Sequence, residues 1–239
     1  MWPALKRMLL FGLVNVLILV SLSFALNIIF AALNIPIPAY YQQILIIALA
    51  LGFGGAFISL MISKWTAKKI MGVQVIDEKV MDPNARDLLN RVHNLARAAG
   101  LKTMPEVGVY NSPELNAFAT GPSKNNSLVA VSSGLLQRMD RDQVDGVLGH
   151  EVAHIANGDM VTMTLLQGVM NAVVIFAARA LAHIILSQGR NSSERPSFFA
   201  YYGLINVLEI VFSLFAMLVV NYFSRAREFR ADSGGARFA

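Results

Sequence analysis

The sequence predicts a mainly α membrane protein: four transmembrane helices in two hairpins, with a small α/β cytoplasmic segment between them. Three observations carry that expectation. Apolar residues make up 55% of the 239-residue chain and charged residues 15%, against roughly 45–50% and 25% in soluble domains. The apolar residues collect into four long runs, two before residue 63 and two after residue 159. Between the pairs the polarity is ordinary, with short alternating stretches and helix-start signals.

From Met8 to Ser63 no residue is charged. Pro36, Pro38 and the Tyr40-Tyr41 pair divide this stretch into runs at about Met8–Leu33 and Ile44–Ile62. Each is long enough, at about 1.5 Å per residue, for a hydrocarbon core of about 30 Å. The first exceeds the roughly 7–15 apolar residues of a signal peptide and offers no clear small-residue cleavage site, so a retained anchor is expected. A third run covers Met160–Gln188, interrupted by Arg179 and His183, and a fourth covers Pro196–Ser224 with Glu209 its only charge. Neither has the wide polar face of a helix lying along the interface, which favours spanning. Arg179 and Glu209 each lie about eight residues from the outer end of their run; an antiparallel hairpin sets them at one depth, where pairing lowers the cost of either charge in lipid. The expected blocks are 1–62 (first hairpin), 63–159 (cytoplasmic segment), 160–224 (second hairpin) and 225–239 (start of a further cytoplasmic helix).

The formal charge is +5, but Ser63–Met160 holds as many acidic as basic residues. The excess sits beside the runs, at Lys6 and Arg7 and then at Arg225, Arg227, Arg230 and Arg237. Basic residues so placed mark cytoplasmic flanks, not a nucleic-acid footprint, and no nucleic-acid partner is expected. Lys64, Lys68 and Lys69 close the first hairpin while its loop has no charge. Both termini and the 63–159 segment therefore fall on the cytoplasmic side, with Arg190 and Arg195 in the second outer loop a mild departure. The chain has no cysteine, so its chemistry must rest on oxygen and imidazole groups.

Within the middle segment, Asp82-Pro83 opens a helix through about Ala99, with Leu88, Leu89, Val92, Leu95 and Ala96 on one face and Gly100 as its stop. Glu106–Tyr110 and Ser127–Ser132 alternate as strands do. Asn116–Thr120 is a shorter candidate between turns at Ser112-Pro113 and Gly121-Pro122. Asp140, with Gln143 three residues on, reads as a capping box. It opens a helix with Val144, Val147, Leu148 and Ile155 on its apolar face and Gly158 at its end.

That helix contains His150-Glu151-Val152-Ala153-His154. Residues four apart share a helix face, so the two imidazoles can hold one zinc ion at about 2.0–2.1 Å. Glu151, beside them, can take a proton from a zinc-bound water. Chance gives roughly 0.002 such motifs in a chain of this composition, so coincidence explains it poorly. A catalytic zinc needs a third protein ligand and an open position, and the residues just after His154 do not supply the extended motif. Glu228 and Asp232, one turn apart, are the best source, one for the metal and the other to orient a ligand imidazole. The alternative for that pair is a solvated charge pair among arginines. A hairpin over 160–224 returns its ends to one membrane face, which brings His154 and Glu228 to the same side. Arg225, Arg227, Arg230 and Tyr222 are the nearby groups able to stabilise an oxyanion. Arg141, Asp142, Asp145 and Asp159 flank the motif and place it in water, outside the bilayer.

Leu51–Gly55, Ser63-Lys64-Trp65, Asn116–Gly121, Val129–Ser132 with Leu135-Leu136, His150–Met160 and Ser224–Asp232 follow one another in this order over nearly the whole chain. Together they resemble the HtpX-type membrane zinc metalloproteases, a family related to the CAAX prenyl proteases. The resemblance implies a zinc-metalloprotease segment with one Zn2+ per chain, held by His150, His154 and Glu228. It implies Glu151 as general base and Asp232 as a carboxylate behind the ligands. It also implies a multi-pass enzyme of the bacterial cytoplasmic (inner) membrane that cuts misfolded or damaged membrane proteins under envelope stress. Its partners would be membrane-protein substrates, the lipid bilayer and other membrane proteases. Asn116, Ala117 and Phe118 correspond to the family's strand beside the cleft, whose backbone edge would pair with an extended substrate; a turn is the other reading of Asn116. Family members continue past the point where Ala239 falls, so part of the packing around the site is expected to lie outside this sequence. The rival function is a catalytically inactive zinc-binding scaffold or regulator of the same fold.

Overall fold

The computed structural model describes residues 41–77, 79, 81–188 and 197–238, together with Phe24, Asn27, Ile28 and Ala31. Apart from those four positions, the expected first span at Met8–Leu33 lies outside the described residues, as does the loop holding Arg190, Glu194 and Arg195. The chain runs α1 (Tyr41–Lys69), β1 (Gln74–Val75), α2 (Pro83–Ala98), β2 (Glu106–Tyr110), β3 (Ala117–Ser123), β4 (Asn126–Ser132), α3 (Ser133–Arg138), α4 (Arg141–Asn157), α5 (Asp159–Gln188) and α6 (Phe198–Phe238). Among the described residues, three helices are long and apolar enough to cross a membrane, over Ile46–Lys69, Asp159–Leu186 and Phe198–Arg237. The protein is thus mainly helical with one small mixed sheet. Residues 225–238 do not start a new helix after the fourth apolar run: α6 continues through Ser224 without a break.

The chain forms two compact units, one within Met1–Gly54 and Gly168–Leu218, the other from Gly55–Gln167 and Val219–Ala239. In the first, Ile44 and Ala48 of α1 pack with Phe176 and Ala180 of α5 in a buried cluster. Gly52 brings the two helices closer still, since a Cβ there would lie 2.6 Å from the backbone nitrogen of Ala172. Between apolar helices in lipid, such close backbone approach supplies the packing that water cannot drive. Arg179 Nη1 meets Glu209 Oε1 at 2.6 Å and also donates to the Ile175 carbonyl at 3.1 Å. The two charges that the hairpin register set at one depth are therefore in contact.

The second unit is built on a sheet of order β1-β2-β4-β3, in which β2 and β4 are parallel and the outer pairings antiparallel. Side chains alternate across a strand, so Val107, Val129 and Val131 join the core with α2 and α4, while Tyr110, Leu128 and Ala130 join Ala67 and Val73 on the other face. Residues 127–132 of β4 are all buried, as befits a central strand covered on both sides. On α2, Asp82 caps the helix and Leu88, Leu89, Val92, Leu95 and Ala96 are buried. Lys64 and Lys68 reach Glu106 at 3.0 and 2.6 Å, and Lys64 also donates to Asn126 at 2.7 Å. Those lysines, read from sequence as membrane-topology charges, therefore also tie the end of α1 to the sheet.

One expected turn is corrected. Gly121-Pro122 is not the end of the third strand: β3 runs on to Ser123, and the turn lies at Lys124-Asn125. Two features make this feasible. Gly121 adopts φ +142° at a register shift between Thr120 and Ser123, and an added Cβ would sit 2.2 Å from the Asn126 carbonyl oxygen, so only glycine fits. Pro122, which lacks an N–H, lies on an edge strand, where a missing donor is tolerated.

Candidate metal centre

Helix α4 is fixed at both ends and along one face. Asp140 and Gln143 form a reciprocal capping box, and Gly158 closes the helix in the left-handed conformation at φ +76°. Lys124, from the β3–β4 turn, donates to the carbonyl of Ala156, a favourable place for a cation at a helix C-terminus. Val144, Leu148, Val152 and Ile155 form the buried stripe, none more than 3% exposed, each contributing about 1.5–3 kcal/mol. At about 100° per residue, that anchored stripe dictates the rest. Glu151 falls about 60° from Leu148, His154 about 120° and His150 about 160°, so the glutamate borders the core and the imidazoles turn away from it.

Helix α6 supplies the facing carboxylates. Ala231 is fully buried, and Gly235 lets the two backbones touch: a Cβ on it would lie 2.9 Å from the backbone nitrogen of His150. With α6 that close, Glu228 Oε2 sits 3.2 Å from His150 Nε2 and 3.5 Å from His154 Nε2, and the two Nε2 atoms are 3.0 Å apart. His150 Nδ1 meets Asp232 at 2.8 Å and His154 Nδ1 meets Asp159 at 2.8 Å. In the neutral tautomer that donates each Nδ1–H to its carboxylate, each Nε2 presents a lone pair. In that tautomer two lone pairs and a carboxylate oxygen converge, an arrangement that a cation between them would stabilise. A tetrahedral zinc with bonds of about 2.0–2.1 Å has ligand atoms about 3.3–3.4 Å apart. The observed edges of 3.0, 3.2 and 3.5 Å match one face of that tetrahedron, so these residues fit the metal.

Glu151 stands outside the triangle. Its Oε2 accepts the N–H of Ala119, on the edge strand, at 2.9 Å. Burial pushes its carboxyl pKa up, with Glu228 adding to the rise while His154, His150 and the Ala119 N–H hold it back. At His154, burial works to lower the pKa, but the bond to Asp159 and the charges of Glu151 and Glu228 outweigh it and raise the value. The group opens on a cavity of about 280 Å³, whose walls include Ala117, Phe118, Ala119, Met160 and Arg227.

Residues 82–239 match the family model described as peptidase family M48. The chain belongs to peptidase family M48. It is 57% identical over 199 residues to Protease HtpX of Shewanella sp. (strain ANA-3), covering 82% of this chain and 69% of that one. It is 51% identical over 234 residues to Protease HtpX of Xanthomonas oryzae pv. oryzae (strain MAFF 311018), covering 98% and 78% respectively. It is accordingly a metalloendopeptidase, and its apolar helices make it a membrane protein. The M48 family works with a metal, usually zinc.

Of the site residues expected from sequence, this M48 chain brings His150, His154, Glu228 and Asp232 together, with Glu151 alongside. Ala117 and Phe118 line the cavity, whereas Asn116 precedes β3 and is tied to β4 through Ser132. Of the four groups considered for an oxyanion, only Arg227 lines the cavity. Asp159 requires a correction: it is no marker of solvent but a carboxylate only 4% exposed, bonded to His154. Its place follows from Gly158, whose left-handed turn swings the next residue back under the histidine. The roles of Ala119 and Gly235 have no sequence signal, since a backbone N–H and a missing Cβ leave little trace there. Asp159→Ala is expected to weaken metal binding by roughly 10–100-fold, measured by chelator competition. Asp232→Ala, at a carboxylate 66% exposed, should have the smaller effect.

Proposed function

We propose that this membrane metalloprotease is a zinc endopeptidase of the bacterial inner membrane that cuts misfolded or damaged membrane proteins during envelope stress. In this reading four helices span the bilayer, the first over Met8–Leu33, in the blocks 1–62, 63–159, 160–224 and 225–239. The active site and both termini face the cytoplasm. The observation that carries the chemistry is the convergence of His150 Nε2, His154 Nε2 and Glu228 Oε2 beside a carboxylate of raised pKa. His150, His154 and Glu228 hold the metal, and Asp232 and Asp159 orient the imidazoles. Zinc, when bound there, supplies Lewis acidity towards the scissile carbonyl and a lowered pKa for the attacking water. Glu151 accepts the proton of that water and hands it to the leaving amine; a carboxyl whose pKa burial raises suits a group that must do both.

Substrate recognition in this reading runs along β3. The carbonyl of Asn116 and the backbone of Phe118 are directed to β4, so by alternation Ala117 and the carbonyl of Ala119 turn outward along the edge, while the Ala119 N–H is taken by Glu151. An extended segment added there is held by main-chain bonds that ignore side-chain identity. That suits unfolded stretches of many different proteins.

Removal of metal provides the test. A chelator should abolish cleavage of an unfolded membrane-protein substrate, and one equivalent of zinc per chain should restore it. Cleavage indifferent to chelation would exclude the proposed chemistry, and zinc binding with no cleavage would favour the inactive scaffold.

A further inference from the structure

Arg227 precedes Glu228 in the chain, and its Nη2 donates to Glu228 Oε1 at 2.7 Å. The carboxylate's other oxygen, Oε2, is the one 3.2 and 3.5 Å from the two histidine nitrogens. One carboxylate is thus divided between a fixed cation and the donor triangle. Neighbouring residues on a helix diverge by about 100° and do not face each other by default. The arginine side chain therefore has to fold back to reach its neighbour, and it does so at the cavity wall. Its Nε is buried without a hydrogen-bond partner among the described residues. No network on that edge of the guanidinium accounts for its position; the bond to Glu228 does.

We propose that Arg227 is a positioning residue that makes Glu228 a one-oxygen ligand and so keeps the fourth coordination position open. The inference rests on the zinc reading above and extends it to coordination number. A carboxylate with both oxygens free can close on a cation in bidentate fashion, as carboxylates do elsewhere. Beside two imidazoles that would put four protein donor atoms on the metal, so that the water a hydrolytic zinc admits joins as a fifth donor instead of a fourth. A charge-assisted bond to Oε1 prevents this, and arginine suits the task because it keeps its proton at any working pH.

The test is the visible spectrum of the full chain loaded with cobalt(II), whose bands are intense in four-coordinate and weak in five-coordinate sites. Arg227→Met should lower the band intensity by at least about twofold as a fifth donor joins the usual four. Arg227→Gln should do the same, because its amide ends where the arginine Nε lies and cannot reach Oε1; it serves if the methionine variant does not fold. Arg227→Lys, which returns a cation near Oε1, should recover most of the intensity. Unchanged spectra in the Met and Gln variants would overturn the role of Arg227 and leave the metal site standing. Wild-type chain that takes up no cobalt would instead overturn the metal site itself.

Discussion

Glu151→Gln is expected to keep its zinc and lose roughly 10²–10⁴-fold in kcat, the usual worth of a general acid–base group. The substitution exchanges one oxygen for an amide nitrogen and changes almost nothing else. The glutamine carbonyl can still accept the Ala119 N–H, so the side chain keeps its place. Glu151 is not one of the three converging donors, and their contacts do not pass through it. What disappears is the capacity to take up a proton. Because burial already disfavours the charge on Glu151, a neutral side chain there should leave thermal stability equal or higher. Turnover and bound metal measured on one preparation decide the matter. Hydrolysis within tenfold of wild type would remove Glu151 from the mechanism.

Glu228→Ala should have an equally large effect of the opposite kind. Zinc binding to a four-ligand structural site is worth about 10–16 kcal/mol, or about 3 kcal/mol per ligand, so losing one weakens binding by about 100-fold. Activity should go with the metal. The helix itself should persist, since alanine is the strongest helix former. Glu209→Ala on the same helix serves as the control: it breaks the pair with Arg179 and should leave zinc in place. Metal content after dialysis against a weak chelator separates the two. Zinc retained in the Glu228→Ala protein at wild-type affinity would move the third ligand elsewhere.

Much of the site is written locally. The capping box at Asp140, the apolar stripe from Val144 to Ile155 and the stop at Gly158 set the length and rotation of α4, and the four-residue spacing of the histidines does the rest. Glu228 needed one further step, that a spanning hairpin returns its ends to one side. Other features depend on tertiary pairing and have no local signal. Aspartate near a motif looks like a solvent marker, and only the contact with His154 shows why Asp159 is buried. Gly121-Pro122 has the composition of a turn, yet the edge position of β3 and a register shift absorb both residues. Gly235 in a helix carries no message until the backbone of α4 is laid against it. The change from apolar to charged residues at Ser224 looks like a boundary, but α6 continues, because backbone hydrogen bonding within a helix is indifferent to what surrounds it.

Zinc-edge X-ray absorption on the purified, zinc-loaded chain tests the central claim most directly. Two imidazole ligands and oxygen donors at about 2.0–2.2 Å are the predicted shell. A shell with a single imidazole, with three or more, or with oxygen alone would contradict it.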